Sequence, residues 1–259
     1  MAGAHPESVM ITGAGRGLGL GFVREFLKLP GVQHCFATVR DKSRATELNA
    51  LASSDARLTI VEMDVQKDDT IARAFDQIKT CVGDGGLSLL IHNAGVLINY
   101  PIEEPSDRGR LREILDINTV APLVITQKFL PLLRCAADRV KKHNPSFGCA
   151  RSAVIFINSA TGSLADNKMG SRIGEFHTIG SRMSKAAQNQ VMRTLAVDLR
   201  PDGILCCSLV PGWVKTDMGG DGAITTVEEA CTEMVATMLK IDESHTGAYL
   251  RRNGQQFPF

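Results

Sequence analysis

Seven short apolar runs punctuate the chain, and most are apolar without interruption. They are SVMITG (8–13), HCFATV (34–39), RLTIVEMDV (57–65), LSLLIHNAG (87–95), SAVIFINS (152–159), ILCCSLVPG (204–212) and GAYLRR (247–252). A strand wet on one face alternates apolar and polar residues. An unbroken run fits a strand covered on both faces, as in a parallel sheet. Between the runs, apolar residues recur at helical spacing. Leu20, Phe22, Val23, Phe26 and Leu27 make one stripe, and Ile71, Phe75 and Ile78 a second. Met183, Ala187, Val191, Leu195 and Leu199 make a third, and 227–239 carries a fourth. Strand–helix alternation along the whole length predicts an α/β fold, a doubly wound parallel sheet of seven strands flanked by helices. No repeat or long linker breaks the pattern. The least patterned stretches are 161–179 and 217–225.

Composition narrows the class. A chain of 259 residues buries roughly 70–75% of its unfolded surface in one core, so its length demands no second domain, and 1–259 reads as one. The 29 basic and 28 acidic residues nearly cancel. That balance argues against a nucleic-acid or membrane-surface partner. No stretch approaches the roughly 20 apolar residues of a bilayer span, and MAGAHPES has no basic or apolar region of a secretory signal. Seven cysteines, at 35, 81, 135, 149, 206, 207 and 231, show no CxxC pair, so no metal site is expected. Most lie in apolar runs as small hydrophobes. A reduced, cytoplasmic protein is the expectation. Tyrosine is scarce: Tyr100 and Tyr249 are the two in the chain.

The first run leads directly into TGAGRGLG, Thr12 to Gly19. It is not a strict GxGxxG, because Leu18 stands three after Gly15. The chemistry is still that of a dinucleotide loop of the Rossmann kind. Glycine permits the tight strand-to-helix turn and the close approach of backbone to pyrophosphate. A helix starting near Leu18 aims free N–H groups at the phosphates. The alternative is a Gly-rich turn without a ligand. An NAD-specific site offers Asp or Glu to the ribose 2′-OH at the end of the second strand. Here Arg40 occupies that turn, Asp41 comes only after it, and Arg16 sits inside the glycine loop. Two cations favour a 2′-phosphate, hence NADP(H), unless Arg40 is simply a solvated loop charge.

These residues resemble the short-chain dehydrogenase/reductase family over nearly the whole chain. Thr12, Gly13, Gly17 and Gly19 resemble its TGxxxGxG loop, Asp64-Val65 its adenine-contacting pair, and Asn93-Ala94-Gly95 its NAG motif. Asn118 resembles the helix Asn that holds a water in the proton relay. Ser159 resembles the catalytic Ser. Pro211-Gly212, with Val214 and Thr216, resembles the segment gripping the nicotinamide carboxamide. LSLLIHNAGVL, QKFLPLL, RMSKAA, LAVDL and PGWVKTDMGG are most similar to the sniffer- and C-factor-like carbonyl reductases. The resemblance implies hydride transfer between NADP(H) and a small carbonyl substrate.

It also implies a Tyr four residues before a Lys on one helix face, the Tyr protonating the carbonyl oxygen and the Lys lowering its pKa and binding the nicotinamide ribose. The Lys is Lys185, but Ser181 stands at the Tyr position. A phenol has a pKa near 10 and an aliphatic hydroxyl lies near that of water, about 15.7. The gap of roughly 5 units is about 7 kcal/mol for full proton transfer. General acid catalysis contributes about 10²–10⁴-fold, so a loss of that order or larger is expected, with cofactor binding spared. The tetrad thus reads Asn118, Ser159, Ser181 and Lys185. The chain is a weakened reductase, a pseudoenzyme that keeps NADP(H) for sensing or partner binding, or a variant of an active enzyme. His177 is either a substitute proton donor or a solvated loop residue.

Residues 161–179 are expected to form a substrate-side flap, made mobile by Gly162, Gly170, Gly174 and Gly180. Trp213 and Met218 either face it across the pocket or pack in the core. The resemblance also implies a homodimer through the helices carrying Asn118 and Lys185.

Overall fold

The computed structural model describes residues 5–141, 146–167, 170, 172–173 and 176–259. In chain order the elements are β1 (Ser8–Ile11), α1 (Gly17–Leu27), β2 (His34–Val39), α2 (Thr46–Ser54), β3 (Leu58–Glu62), α3 (Asp68–Val82) and β4 (Leu89–His92). Then come α4 (Arg108–Leu115), α5 (Ala121–Lys141), β5 (Ala153–Ile157), β6 (Arg172–Ile173) and β7 (Phe176–His177). The last are α6 (Ile179–Asp198), β8 (Leu205–Val210), α7 (Val227–Met238) and β9 (Tyr249–Arg251). The seven main strands form one parallel sheet in the order β3-β2-β1-β4-β5-β8-β9, and β6 and β7 pair antiparallel beside it. This is the doubly wound sheet that the unbroken apolar runs predict.

Alternate residues of each strand supply two separate cores. Val9, Ile11, Leu89, Ile91, Ala153 and Ile155 pack with α1 and α7. Met10, Leu90, Val154 and Phe156, the residues between them, pack with α3, α5 and α6. Both faces are therefore apolar, and the runs show no alternation. The strand order reverses between β1 and β4. In an open α/β sheet that switch point opens a crevice at the carboxyl ends of the strands. The glycine loop after β1 and the NAG segment after β4 both lie there.

The four apolar stripes fall on α1, α3, α6 and α7, but on α6 the buried face carries Ser181, Ser184, Gln188, Asn189, Met192 and Ala196, and Met183 of the stripe is exposed; α2, α4 and α5 were not among the four. Of α2 only Leu48 is buried, so it has almost no stripe. α4 and α5 run as one helix, Arg108–Lys141, joined by a π turn at Asp116–Val120. That helix corrects the expectation about bilayer-spanning segments. By length and composition it is apolar enough to cross a membrane, with an 18-residue window of mean hydropathy 1.3. Half of that window is buried inside the fold, where Ile125, Phe129, Leu132 and Leu133 join the second core, the pattern of a core helix.

The flap expectation is also revised. A Cβ on Gly162 would stand 2.7 Å from Asn158 Oδ1 and 3.0 Å from the Lys185 carbonyl oxygen. Gly180 lies against Leu111 and Ile114. At Gly162 the glycine allows close packing against α6 and Asn158, while a Cβ at Gly180 would make only ordinary contacts. Gly170 does adopt a positive φ of 60° in open space, and Gly174 lies outside the described residues.

Candidate active site

The glycine loop is tied to the turn after β4 by one hydroxyl. Thr12 Oγ1 accepts from the Asn93 and Ala94 N–H groups, each at 3.0 Å, and donates to the Ile91 carbonyl at 3.3 Å. The Asn93 amide returns the contact, donating to the carbonyls of Thr12 (2.9 Å) and Gly13 (3.1 Å). Thr12 and Asn93 therefore shape the loop from behind. Gly13 adopts φ +66°, and a Cβ there would come within 2.9 Å of Ala94 Cα. A Cβ on Gly19 would press on the Gly13 carbonyl and stand 2.7 Å from Asn93 Nδ2. Only glycine fits this cradle. Arg16, the residue before α1, makes no side-chain cap, so the first-turn N–H groups of Gly17, Leu18 and Gly19 receive no cap from it. Such a terminus accommodates an anion. Thr216 closes over the loop, its methyl 3.3 Å from where a Gly17 Cβ would be.

At the edge of the loop toward β2, Val39 Cγ1 lies 3.3 Å from the Gly15 Cβ position. Arg40 follows, exposed, with no side-chain hydrogen bond or ion pair among the described residues. Asp41 turns away from any ribose at this edge. Its carboxylate accepts from the backbone and hydroxyl of Ser43, at 2.9 and 2.6 Å, and those hydrogen bonds lower its pKa. The Arg16 guanidinium pairs with Asp217. Asp64, before half-buried Val65, accepts from the Gln66 N–H at 3.2 Å and lies 3.8 Å from Lys67 Nζ. This arrangement fits a nicotinamide dinucleotide, with a glycine cradle for the pyrophosphate and, at the 2′ edge, the unpaired Arg40 beside an Asp41 carboxylate engaged by Ser43.

The other half of the cleft lies where β5 and β8 end. Ser159 follows β5. Its Oγ accepts from the Thr161 N–H at 3.2 Å, and its carbonyl accepts from the Tyr249 hydroxyl. On α6, Lys185 Nζ donates to the Ile157 carbonyl (2.8 Å) and to Gln188 Oε1 (3.1 Å). Desolvation pushes this ammonium down to about 8. Asn118, fully buried in the π turn, grips Val96 on both sides. Its Oδ1 accepts from the Val96 N–H and its Nδ2 donates to the Val96 carbonyl. Asn118 Nδ2 also donates to Ser184 Oγ, which in turn donates to the Ser181 carbonyl. Asn118 is thus tied through Ser184 to the Ser181 main chain, and through Gln188, whose Nε2 donates to the Asn118 carbonyl, to Lys185. The Gly95 Cβ position lies 3.1 Å from Asn118 Oδ1.

The loop after β8 completes the wall. Pro211 accepts from Arg252 at its carbonyl, Gly212 adopts φ +86°, and Val214 is buried and pairs with Thr225. Trp213 and Met218 are half-exposed on the same loop rather than in the core, and the Trp213 indole donates to the Gly219 carbonyl.

A family model described as short chain dehydrogenase matches residues 7–224. The chain belongs to that family. Among curated relatives of this short chain dehydrogenase is the C-signal protein of Myxococcus xanthus, 33% identical over 187 residues, covering 72% of this chain and 99% of that protein. Among solved structures, carbonyl reductase Sniffer of D. melanogaster superposes with a TM-score of 0.93 at 35% identity, covering 98% of this chain and all of that one. An NADPH-bound carbonyl reductase from chicken fatty liver superposes at 0.92 with 36% identity, over 98% of this chain and 95% of that one.

For this short chain dehydrogenase, two contacts were invisible along the sequence. Tyr249, ninety residues from Ser159, is close to it in space. Its ring is buried between Phe257 and Phe259, and burial raises its pKa. Its hydroxyl holds a carbonyl and does not take the place of an acid at 181. Tyr100 accepts from the Asp107 N–H at the start of α4, while its backbone N–H donates to the His177 carbonyl. The second is Gln188, fully buried, which donates to the Asn118 carbonyl at 2.7 Å. It lies off the apolar stripe read from the sequence, so the pattern gave no signal for it.

Proposed function

We propose that this short-chain oxidoreductase binds NADP(H) and reduces small carbonyl compounds, with proton delivery weakened by Ser181. The observation that carries the reading is Lys185, an ammonium drawn down toward neutral pKa by burial, one turn after Ser181 on α6 and joined through Gln188 to the Asn118 carbonyl, at the cleft that the glycine cradle opens. A bound nicotinamide supplies the hydride for the carbonyl carbon. The chain's own residues orient the carbonyl and supply its proton. Ser159 Oγ retains its proton for donation to the substrate oxygen, since in the structure it only accepts. Lys185 is the proton store. The Ser181 hydroxyl, about 5 pK units weaker as an acid than a phenol, is a poor conduit between them. Arg40 receives the 2′-phosphate, with Lys42 and Arg44 just beyond it adding positive charge.

Ser181 also supports a second reading, a protein that keeps NADP(H) for sensing or partner binding with little turnover. One pair of measurements separates them. NADPH is expected to raise the thermal midpoint more than NADH does. Absence of a shift with either would overturn both readings. NADPH oxidation with dicarbonyls or quinones is expected to be slow and to rise at least about 10²-fold in Ser181→Tyr. Equal turnover of the two proteins would overturn the role given to Ser181, and turnover confined to Ser181→Tyr supports the second reading.

A further inference from the structure

Lys185 is the proton store of the proposed reaction, yet its ammonium does not stand free in the cleft. Two of its three N–H bonds are directed away, to the Ile157 carbonyl at 2.8 Å and to Gln188 Oε1 at 3.1 Å. Gln188 is fully buried one turn further along α6, and its Nε2 donates to the Asn118 carbonyl at 2.7 Å. The amide therefore spends an acceptor on the ammonium and a donor on the π turn. Leu or Met at this position would pack equally well and do neither. A buried polar side chain costs stability unless both its ends are satisfied, and here both ends are satisfied by the site itself.

We propose that Gln188 is a positioning residue of this site, its amide bridging the Lys185 ammonium and the Asn118 carbonyl and drawing the ammonium back against the end of β5. The proposal rests on the reading of Lys185 as the proton store. A primary amide accepts at Oε1 and donates at Nε2 but does not ionise in the range of protein chemistry. Gln188 thus fixes the charge without carrying its proton. It also donates to the Asn118 carbonyl, tying the π turn to the same amide. Proton exchange at Lys185 then runs through the remaining N–H. Among the described residues, the titratable side chain electrostatically coupled to Lys185 is His92 on β4, which burial keeps neutral.

The test is a direct titration of Lys185 in the full chain. Lysine is labelled with ¹³C at Cε, and the resonance is assigned by its loss in Lys185→Met. The wild-type midpoint is expected at about 8. Gln188→Glu, isosteric but anionic, is expected to raise it by more than about one unit, because an adjacent carboxylate favours the ammonium. Gln188→Met, of similar length and without the acceptor, is expected to lower it by roughly half a unit or more, since a hydrogen bond to the charged form has been removed. If folded Gln188→Glu and Gln188→Met both titrate within about 0.2 unit of the wild type, the proposal is overturned. NADPH binding is measured on the same samples. Loss of binding in the wild type refutes the cofactor reading, while the titration still decides the role of Gln188.

Discussion

Acidification is expected to destabilise this protein through one buried imidazole. His92 ends β4, fully buried against Phe156, their ring centroids 4.9 Å apart. Its Nε2 lies 2.8 Å from Thr126 Oγ1, which donates to the Pro122 carbonyl. The threonine proton is thus committed, so His92 Nε2 carries the hydrogen and donates. Nδ1 is then an unprotonated, buried acceptor with no partner. Desolvation first, and the Lys185 charge second, hold the folded pKa down to about 3, against 6.5 for a free imidazole. The unfolded chain therefore binds the proton more readily. Its contribution to stability is fully present above pH 6.5 and is lost as pH falls toward 3. At pH 4.5 the loss is about two pK units, or roughly 2.7 kcal/mol. Urea unfolding followed by circular dichroism, at pH 7.5 and pH 4.5, gives the assay. His92→Gln keeps a donor for Thr126 and cannot titrate. It is expected to be less stable than wild type at pH 7.5 but to lose about 2–3 kcal/mol less on acidification. Parallel losses in the two proteins would refute the argument.

Two further outcomes follow from the cofactor end. Thr12→Val leaves the Asn93 and Ala94 N–H groups without their acceptor and is expected to cost about 2–3 kcal/mol and to weaken NADPH binding; Thr12→Ser, keeping the hydroxyl, is expected to stay within about 1 kcal/mol of wild type, and equal effects of the two in urea titrations would contradict the assigned role. Asp217→Asn releases Arg16 from an exposed pair worth at most about 1 kcal/mol. NADPH affinity by fluorescence titration is expected to rise up to about fivefold at low salt, and less as salt screens the charges; an unchanged affinity at low salt would argue against Arg16 as a phosphate ligand.

The strands could be read from the sequence because burial on both faces leaves an unbroken apolar signature. Their ends could not. The run LSLLIHNAG extends to Gly95, yet β4 stops at His92, where the N–H of Asn93 turns to the Thr12 hydroxyl. The glycines of the phosphate loop were legible since only their backbone geometry admits such a turn. Gly162 was misleading for the same reason, as glycine serves close packing as well as motion. Tyr249 and Gln188 act through single long-range hydrogen bonds, which leave no periodicity along the chain. Arg16 shows the limit of charge reasoning, since the identity of a cation does not reveal that Asp217, two hundred residues away, already faces it.

The Tyr249 contact has a consequence for the order in which the site is built. A ribosome completes the glycine loop, Asp64, the NAG turn, Ser159, Lys185 and Thr216 before it reaches Tyr249, and chains begin to fold from the N-terminal side as they are made. The nascent chain therefore holds every residue assigned to the cofactor before it holds the hydroxyl that fastens the Ser159 carbonyl. The Ser159 carbonyl is therefore fastened only once the edge strand β9, the last of the sheet along the chain, is laid beside β8.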